Sequence, residues 1–184
     1  MTLIYRVVYA FAYVFFRVFG GLWPKIAKGY ELRKTVNGEP PWLRGPRGLR
    51  PIWIHCASGE FEYALPLIRR IKLENPTEKI LVTYFTPSYI RRIEQEPAVD
   101  VVVPTPWDFP TAVGKFIDHY QPKALLFSRT DVWYEMTRQC RKRNIPSFVF
   151  SMTFNKKPVF FRTMFYRWHL QHLTQLFVVS PADR

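Results

Sequence analysis

The chain has 184 residues, 48% of them apolar and 17% aromatic, which excludes a disordered chain and is enough for one sizeable core with an appendage. Its +13 net charge is uneven: residues 1–50 carry nine Lys/Arg against two acids, residues 51–136 nine against eleven, and residues 137–184 nine against one. Basicity confined to the two ends implies a polyanionic partner, and no zinc-finger spacing, RNP-like motif or Gly-rich KH-type loop accompanies it, so an anionic membrane surface is favoured over nucleic acid.

The amino-terminal segment, residues 1–37, reads as a membrane-associating helical unit. Leu3 to Phe19 is almost wholly apolar or aromatic but is interrupted by Arg6 and Arg17, leaving an uninterrupted apolar run of ten residues. A bilayer-spanning helix needs ~20, so a helix lying in the interface is expected. It would bury Tyr9, Phe11, Tyr13, Phe15, Phe16 and Phe19 in acyl or headgroup regions. Arg6, Arg17, Lys25 and Lys28, with Trp23 in the interfacial belt, would meet anionic headgroups. The competing expectation is that the helix packs on the protein's own core. No small-x-small cleavage site follows the apolar stretch, which argues for retention at the cytosolic face rather than secretion. Cys56 and Cys140, distant in sequence, read as buried reduced thiols.

From residue 50 onward short β-rich runs alternate with helical stretches. Strands are expected at 52–56, 79–84, 99–104, 123–127, 146–150 and 175–179, with helices near 60–74, 87–95, 109–119, 132–143 and 159–172. Continuous Val/Ile/Leu/Phe strands joined by helices imply an α/β fold, a Rossmann-like parallel sheet with helices on both faces, over residues 50–184. Ligands of such sheets bind outside the carboxyl ends of the strands. The loops that matter are therefore Ala57-Ser58-Gly59-Glu60, Phe85-Thr86-Pro87-Ser88, Thr105-Pro106-Trp107-Asp108 and Ser128-Arg129-Thr130-Asp131, all on one rim.

Glu60 falls just after a strand end, where Gly59 allows close approach and Ser58 is placed to cap the following helix. A carboxylate there is suited to general-base work, but a helix amino terminus favours one in any protein. His169 and His172 are spaced to share a helix face in acid-free sequence, so a metal site is not expected there; a phosphate-facing or exposed pair is. Asp131 and Arg129 could form a loop ion pair. Phe160, Phe161, Phe165 and Trp168 read as core or membrane-facing side chains rather than a stacking platform for bases.

The ordered set of rim segments resembles the Kdo (3-deoxy-D-manno-octulosonic acid) transferases. His55-Cys56-Ala57-Ser58-Gly59-Glu60 is similar to their His-Ser-x-Ser-x-Gly-Glu loop, and Thr83 to Ser88 to their Thr-x-Thr-Pro segment. Pro104 to Asp108 is similar to Pro-Tyr-Asp, and Ser128 to Trp133 to Glu-Thr-Glu-Leu-Trp; the basic Tyr30-Glu31-Leu32-Arg33-Lys34 stretch also corresponds. The resemblance implies the amino-terminal, acceptor half of a two-domain GT-B glycosyltransferase of lipopolysaccharide core synthesis, at the cytoplasmic face of the bacterial inner membrane. It implies lipid A or a related glycolipid as acceptor and CMP-Kdo as co-substrate, bound by a donor domain outside this chain and supplied by a separate polypeptide, with no further cofactor. It assigns Glu60 as the general base and Ser58, Gly59, Thr86, Pro87, Ser88, Arg129, Thr130 and Asp131 to acceptor binding.

The departures from the pattern are specific. The first loop is one residue shorter, Tyr89 stands where a Gly is usual, Arg129 replaces a Glu, and Ser151-Met152-Thr153-Phe154-Asn155 lacks the family's Arg. Three readings follow: an acceptor domain that acts with a donor domain, a non-catalytic lipid or glycolipid binder on the same cleft, and a basic nucleic-acid-binding domain.

Overall fold

A computed structural model describes residues 2–35, 38–152 and 166–179. Its sheet contains β1 (Ile52–Cys56), β2 (Ile80–Tyr84), β3 (Val101–Pro104), β4 (Ala124–Ser128), β5 (Ser147–Met152) and β6 (Gln175–Val178). All neighbours pair in parallel in the order β3-β2-β1-β4-β5-β6, the doubly wound arrangement expected from the strand–helix alternation. The order reverses between β1 and β4.

Alternate residues of each strand supply the two faces. Trp53, Leu81, Leu125, Phe127 and Val149 pack with Val113 and Phe116 of α5 (Pro110–Tyr120) and Met136 and Cys140 of α6 (Tyr134–Lys142). Ile54, Cys56, Ile80 and Val82 pack with Phe61, Ala64 and Ile68 of α3 (Phe61–Glu74) and Ile93 of α4 (Ile90–Glu94). Both cysteines are buried free thiols, and burial pushes the Cys140 thiol up to about 12.

The helix expected near 87–95 is shorter. A 3-10 turn at Pro87–Tyr89, with Pro87 at its first position, precedes α4. Of the helix expected near 159–172, α7 (Tyr166–Leu170) is described, while residues 153–165, including Phe160, Phe161 and Phe165, lie outside the described residues.

At the amino terminus, α1 (Thr2–Phe19) continues through a 3-10 turn into α2 (Pro24–Glu31). The segment Thr2–Leu22 is long and apolar enough, by length and composition, to cross a membrane. Its two faces have separate fates. Thr2, Tyr5, Tyr9 and Tyr13, three or four residues apart, form one stripe that lies along the carboxyl rim of the sheet. Thr2 Oγ1 is 2.6 Å from the Tyr134 hydroxyl, Tyr5 donates to Asp108 Oδ2, and Tyr9 accepts from the Asp108 amide at 3.0 Å. The Tyr13 ring meets Trp107 and Phe109 at centroid distances of 4.9 and 5.2 Å. The opposite face, with Leu3, Val7, Phe11, Val14 and Val18, is exposed: Leu3 to 73% and Phe11 to 74%.

One face of this helix therefore packs on the protein's own rim, and the other is left exposed. Tyr9 and Tyr13 do not join the phenylalanines on the outward side, because their hydroxyls and rings find partners on the rim. Arg6 also turns inward, its Nε donating to Glu135 Oε1 at 2.7 Å, so its charge is committed to a fully buried carboxylate.

Asp108 ties this arrangement together. It is buried, accepts the Tyr5 hydroxyl, and accepts the backbone N–H groups of Glu135 (3.0 Å) and Met136 (3.2 Å), two of the free amides at the start of α6. Burial raises its carboxyl to about 6, against the three hydrogen bonds that favour ionisation. Arg33 does for α2 what Asp108 does for α1. It is buried and donates to the carbonyls of Gly29, Tyr84, Phe85 and Thr105, clasping the loops after β2 and β3.

Asp108→Ala leaves three buried donors without their acceptor. At ~1–3 kcal/mol for each orphaned group, it is expected to lower the unfolding free energy by about 3 kcal/mol or more, and to speed proteolysis within α1 ahead of the body; unchanged denaturation and cleavage would contradict the assignment. The folded-state carboxyl lies above its ordinary 3.8, so its contribution is fully present below pH ~4 and is lost as pH rises through about 6. A urea series from pH 4 to 6 should show that loss in the native chain and a flatter profile in Asp108→Asn.

Candidate functional site

Strand order reverses between β1 and β4, and doubly wound sheets bind ligands outside the carboxyl ends of the strands at such a reversal. Ser58, Gly59 and Glu60 leave β1 there. The Glu60 side chain folds back, its Oε2 accepting the Ser58 amide at 2.7 Å and lying 3.3 Å from Ser58 Oγ. Oε1 has no hydrogen bond from the described residues and keeps its lone pairs. Ser58 does not cap α3 with its hydroxyl; Glu60 occupies the cap position, and the Ser58 carbonyl accepts the Phe61 amide instead. The helix begins two residues later than a Ser58 cap requires.

Two further loops close on this one. The Phe85 and Thr86 amides both donate to the Ala57 carbonyl, at 3.0 and 2.9 Å, and Thr86 Oγ1 is 2.9 Å from Ser88 Oγ. Ser128 at the end of β4 donates to the Glu60 carbonyl at 2.7 Å. Thr86, Pro87 and Ser88 are thus brought beside Ser58–Glu60. Tyr89 lays its ring on Gly59, where an added Cβ would meet ring carbons at 3.4–3.5 Å. The substitution of Tyr for Gly at 89 therefore covers part of this loop with an aromatic surface.

Arg129 and Asp131 diverge instead of pairing. Arg129 adopts φ 67° and puts its guanidinium 4.5 Å from the Tyr63 ring centre, over α3. Thr130 between them is exposed. Asp131 turns to His55, whose Nε2 lies 3.7 Å from Asp131 Oδ2. At that separation the contact is electrostatic rather than a hydrogen bond, and His55 Nε2 has no hydrogen-bond partner among the described residues. The imidazole is fixed from its other side, with Nδ1 3.0 Å from Thr83 Oγ1 and 3.3 Å from Thr105 Oγ1. Burial disfavours the Asp131 carboxylate, but the adjacent His55 outweighs it and holds the carboxyl below its ordinary range.

His55 is the site residue that sequence reasoning passed over. Its signal was a lone titratable side chain inside the apolar run Ile52–Cys56, opposite Thr83 in register. His169 is buried and His172 half-buried, so they are not an exposed pair. His169 Nε2 meets the Val132 carbonyl and His172 Nε2 lies 3.4 Å from the Tyr134 hydroxyl, so both pack at the start of α6. Trp168 stacks on Tyr134 at 4.2 Å.

Of the residues expected at the membrane, Arg17, Trp23 and Lys28 are exposed, and the side chain of Lys25 lies outside the described residues. In the second basic region, among the described residues, three arginines are committed internally while Lys142 is exposed. Arg138 meets Glu135 at 3.2 Å, Arg141 donates to the Gln171 carbonyl at 2.7 Å, and Arg143 pairs with Asp118 at 2.9 Å. Lys156, Lys157, Arg162 and the side chain of Arg167 lie outside the described residues.

The His55–Asp131 contact makes a titration prediction. A depressed folded-state value means that the Asp131 contribution is present above the unfolded value of ~3.9 and is lost as pH falls through the folded one. In His55→Asn the Asp131 carboxyl should titrate higher by carbon NMR, and acid should cost that variant less of its stability than the native chain; an unmoved titration sinks the pairing.

Comparison with known proteins agrees with this geometry. A model of the 3-deoxy-D-manno-octulosonic-acid transferase (kdotransferase) family matches residues 25–184. A 3-deoxy-D-manno-octulosonic acid transferase of Haemophilus influenzae (strain ATCC 51907 / DSM 11121 / KW20 / Rd) is 35% identical over 124 residues, covering 66% of this chain and 27% of that protein. The Arabidopsis thaliana protein named "Probable 3-deoxy-D-manno-octulosonic acid transferase, mitochondrial" is 33% identical over 98 residues, 52% of this chain and 22% of that one. The alignments thus span about a quarter of the length of these relatives. The crystal structure of the GsuK RCK domain aligns at TM-score 0.49 and 14% identity over 80% of this chain and 29% of that one, a likeness too distant to bear on function. With the family model matched from residue 25 to residue 184 and the expected sheet and rim in place, the chain belongs to the 3-deoxy-D-manno-octulosonic-acid transferase (kdotransferase) family.

Proposed function

We propose that this chain is the acceptor-side domain of a membrane-surface glycosyltransferase. It presents a sugar hydroxyl of lipid A or a related glycolipid to CMP-Kdo, which is held by a second domain, at the cytoplasmic face of the inner membrane. The observation that carries the reading is Glu60. Its carboxylate stands at the end of β1 beside the β1/β4 reversal, tethered through Oε2 and uncommitted at Oε1.

In this reading Oε1 takes the proton of the acceptor hydroxyl as that oxygen attacks the anomeric carbon of Kdo and CMP leaves with the bonding pair. The Ser58 amide and hydroxyl fix the orientation of the carboxylate, so that little reorganisation is needed at the moment of transfer. Thr86, Ser88 and Asp131 line the same rim and are suited to sugar hydroxyls and amides. The exposed apolar face of α1 supports an interfacial pose. A helix docked along its whole tyrosine stripe has protein, not lipid, on that side, which fits lying in the interface better than crossing the bilayer.

Tyr89 over Gly59 favours a second reading on the same surface, in which the rim binds a glycolipid without turning it over. The two differ in Glu60. With a donor-binding partner and glycolipid supplied, Glu60→Gln is expected to lower transfer by ~10²–10⁴-fold while vesicle flotation is unchanged; undiminished transfer removes Glu60 as the base. For the membrane part, Val7→Glu combined with Phe11→Glu should abolish flotation with anionic vesicles. Flotation that survives both substitutions overturns the interfacial role of α1.

A further inference from the structure

Beside the β1/β4 reversal, the rim contains a cavity, enclosed between α1, α2 and the loops after β2, β3 and β4. It measures about 320 Å³ and is walled by Tyr9, Ala12, Phe16, Ile26, Trp107 and Trp133, a size at the small end of the ~300–1,000 Å³ of ligand sites. Its lining is almost wholly carbon.

Arg33 stands at its inner edge and is also part of an adjoining polar depression of about 540 Å³. That depression adds Arg17 and Lys34, with Glu31 as the sole carboxylate among its lining residues. Glu31 pairs with Lys34 at 2.5 Å. The Arg33 guanidinium is buried and bonded only to carbonyls, with the rings of Phe85 and Trp107 at 4.7 and 5.1 Å. No carboxylate among the described residues forms an ion pair with it. A buried cation lacking a counter-charge is costly, and an anion beside it is correspondingly favoured.

Gly29 adds an independent sign. It lies inside α2, where glycine is a poor helix former, and an added Cβ would find only Arg33 Nη1, at 3.7 Å. Neither backbone strain nor a clash requires glycine at this position. What the missing side chain does is leave the cavity wide on the α2 side.

We propose that this cavity takes one acyl chain of an anionic phospholipid from the bilayer surface on which α1 lies, with the acidic headgroup drawn to Arg33, Arg17 and Lys34. The apolar wall matches the chain, the guanidinium without a carboxylate partner matches the phosphate, and α1, whose other face is exposed, forms one wall of the cavity. The inference rests on the membrane-surface part of the reading above. The cavity adjoins the Glu60 rim, with Thr86 lining both, and the proposal makes the phospholipid a bound tether rather than a substrate.

The test uses the full chain and cis-parinaric acid as a fluorescent acyl probe, displaced by monomeric lysophosphatidylglycerol or lysophosphatidylcholine of equal chain length. Saturable binding of one probe per chain is expected, with displacement by the glycerol lipid at a concentration at least tenfold lower than by the choline lipid. Ala12→Phe combined with Gly29→Leu fills the cavity from both helices and should weaken probe binding at least tenfold, with circular dichroism and thermal midpoint retained. Should that pair fail to fold, Gly29→Ala should weaken the probe to a lesser degree while raising the thermal midpoint. Absence of saturable binding, or equal binding by a folded filled variant, overturns the site, and equal displacement by the two headgroups overturns the role of Arg33. Flotation of the same variants separates the claims. Filled variants that still float but no longer bind the probe support the cavity, whereas a native chain that binds the probe without floating defeats only the membrane reading.

Discussion

A single buried carboxylate decides where the amino-terminal helix lies. Asp108 receives the Tyr5 hydroxyl from α1 and two amides from α6, and its own amide donates to Tyr9. Each of these groups would otherwise be unpaired in a dry junction, where an orphaned donor costs more than a satisfied one contributes. The junction is therefore all or none. An α1 rotated by even one residue would withdraw Tyr5 from Asp108 and Arg6 from Glu135, leaving Asp108 only the two α6 amides and Glu135 only Arg138 and Gln139.

Because rotation is fixed, the direction of the apolar face is fixed as well. The stripe points to the carboxyl rim, so Leu3, Val7, Phe11, Val14 and Val18 point away from it on the same side of the molecule. The rim is also where the β1/β4 reversal and the cavity beneath α1 lie. The exposed apolar face and the rim thus share one side of the sheet, which is the arrangement the proposed glycolipid acceptor would need. Arg33 plays a complementary part. Its carbonyl contacts hold α2 to the ends of β2 and β3, so the two helices close over the rim as one unit.

The sheet was legible in the sequence because parallel strands buried on both faces are short continuous apolar runs, and six such runs punctuated by helices leave little choice of architecture. The helix near 87–95 was overestimated because its first turn, Pro87–Tyr89, is wound as a 3-10 turn, a distinction that apolar spacing does not make. The rim loops were legible as an ordered set, and the contacts of Ala57 with Thr86 and of Ser128 with Glu60 bring them together. What the sequence concealed is pairing across large separations. Nothing near Arg6 announces Glu135, and nothing near His55 announces Asp131, because both partnerships depend on strand order. The tyrosine stripe was readable in principle. Positions 5, 9 and 13 share a spacing of four that separates them from Phe11 and Phe15, and only the common aromatic character of the two sets merged them.

The same pairing changes how the net charge should be understood. A total of +13 suggests electrostatic attachment to anionic lipid, yet Arg6, Arg138 and Arg143 are bound to carboxylates and Arg33 and Arg141 to carbonyls. In the amino-terminal region only Arg6 and Arg33 are drawn inward, while Arg17, Lys28, Lys34, Arg44, Arg47 and Arg50 are exposed. At about 1 kcal/mol for each basic residue near an anionic surface, any one of these charges is worth less than an outward apolar side chain of α1, at ~1.5–3 kcal/mol on full burial. In the interfacial pose proposed above, the apolar face of α1 would therefore supply the larger part of the attachment, and the charge would select anionic lipid. The basic residues that do most for this protein are those that hold its helices in register, and their partners are inside it.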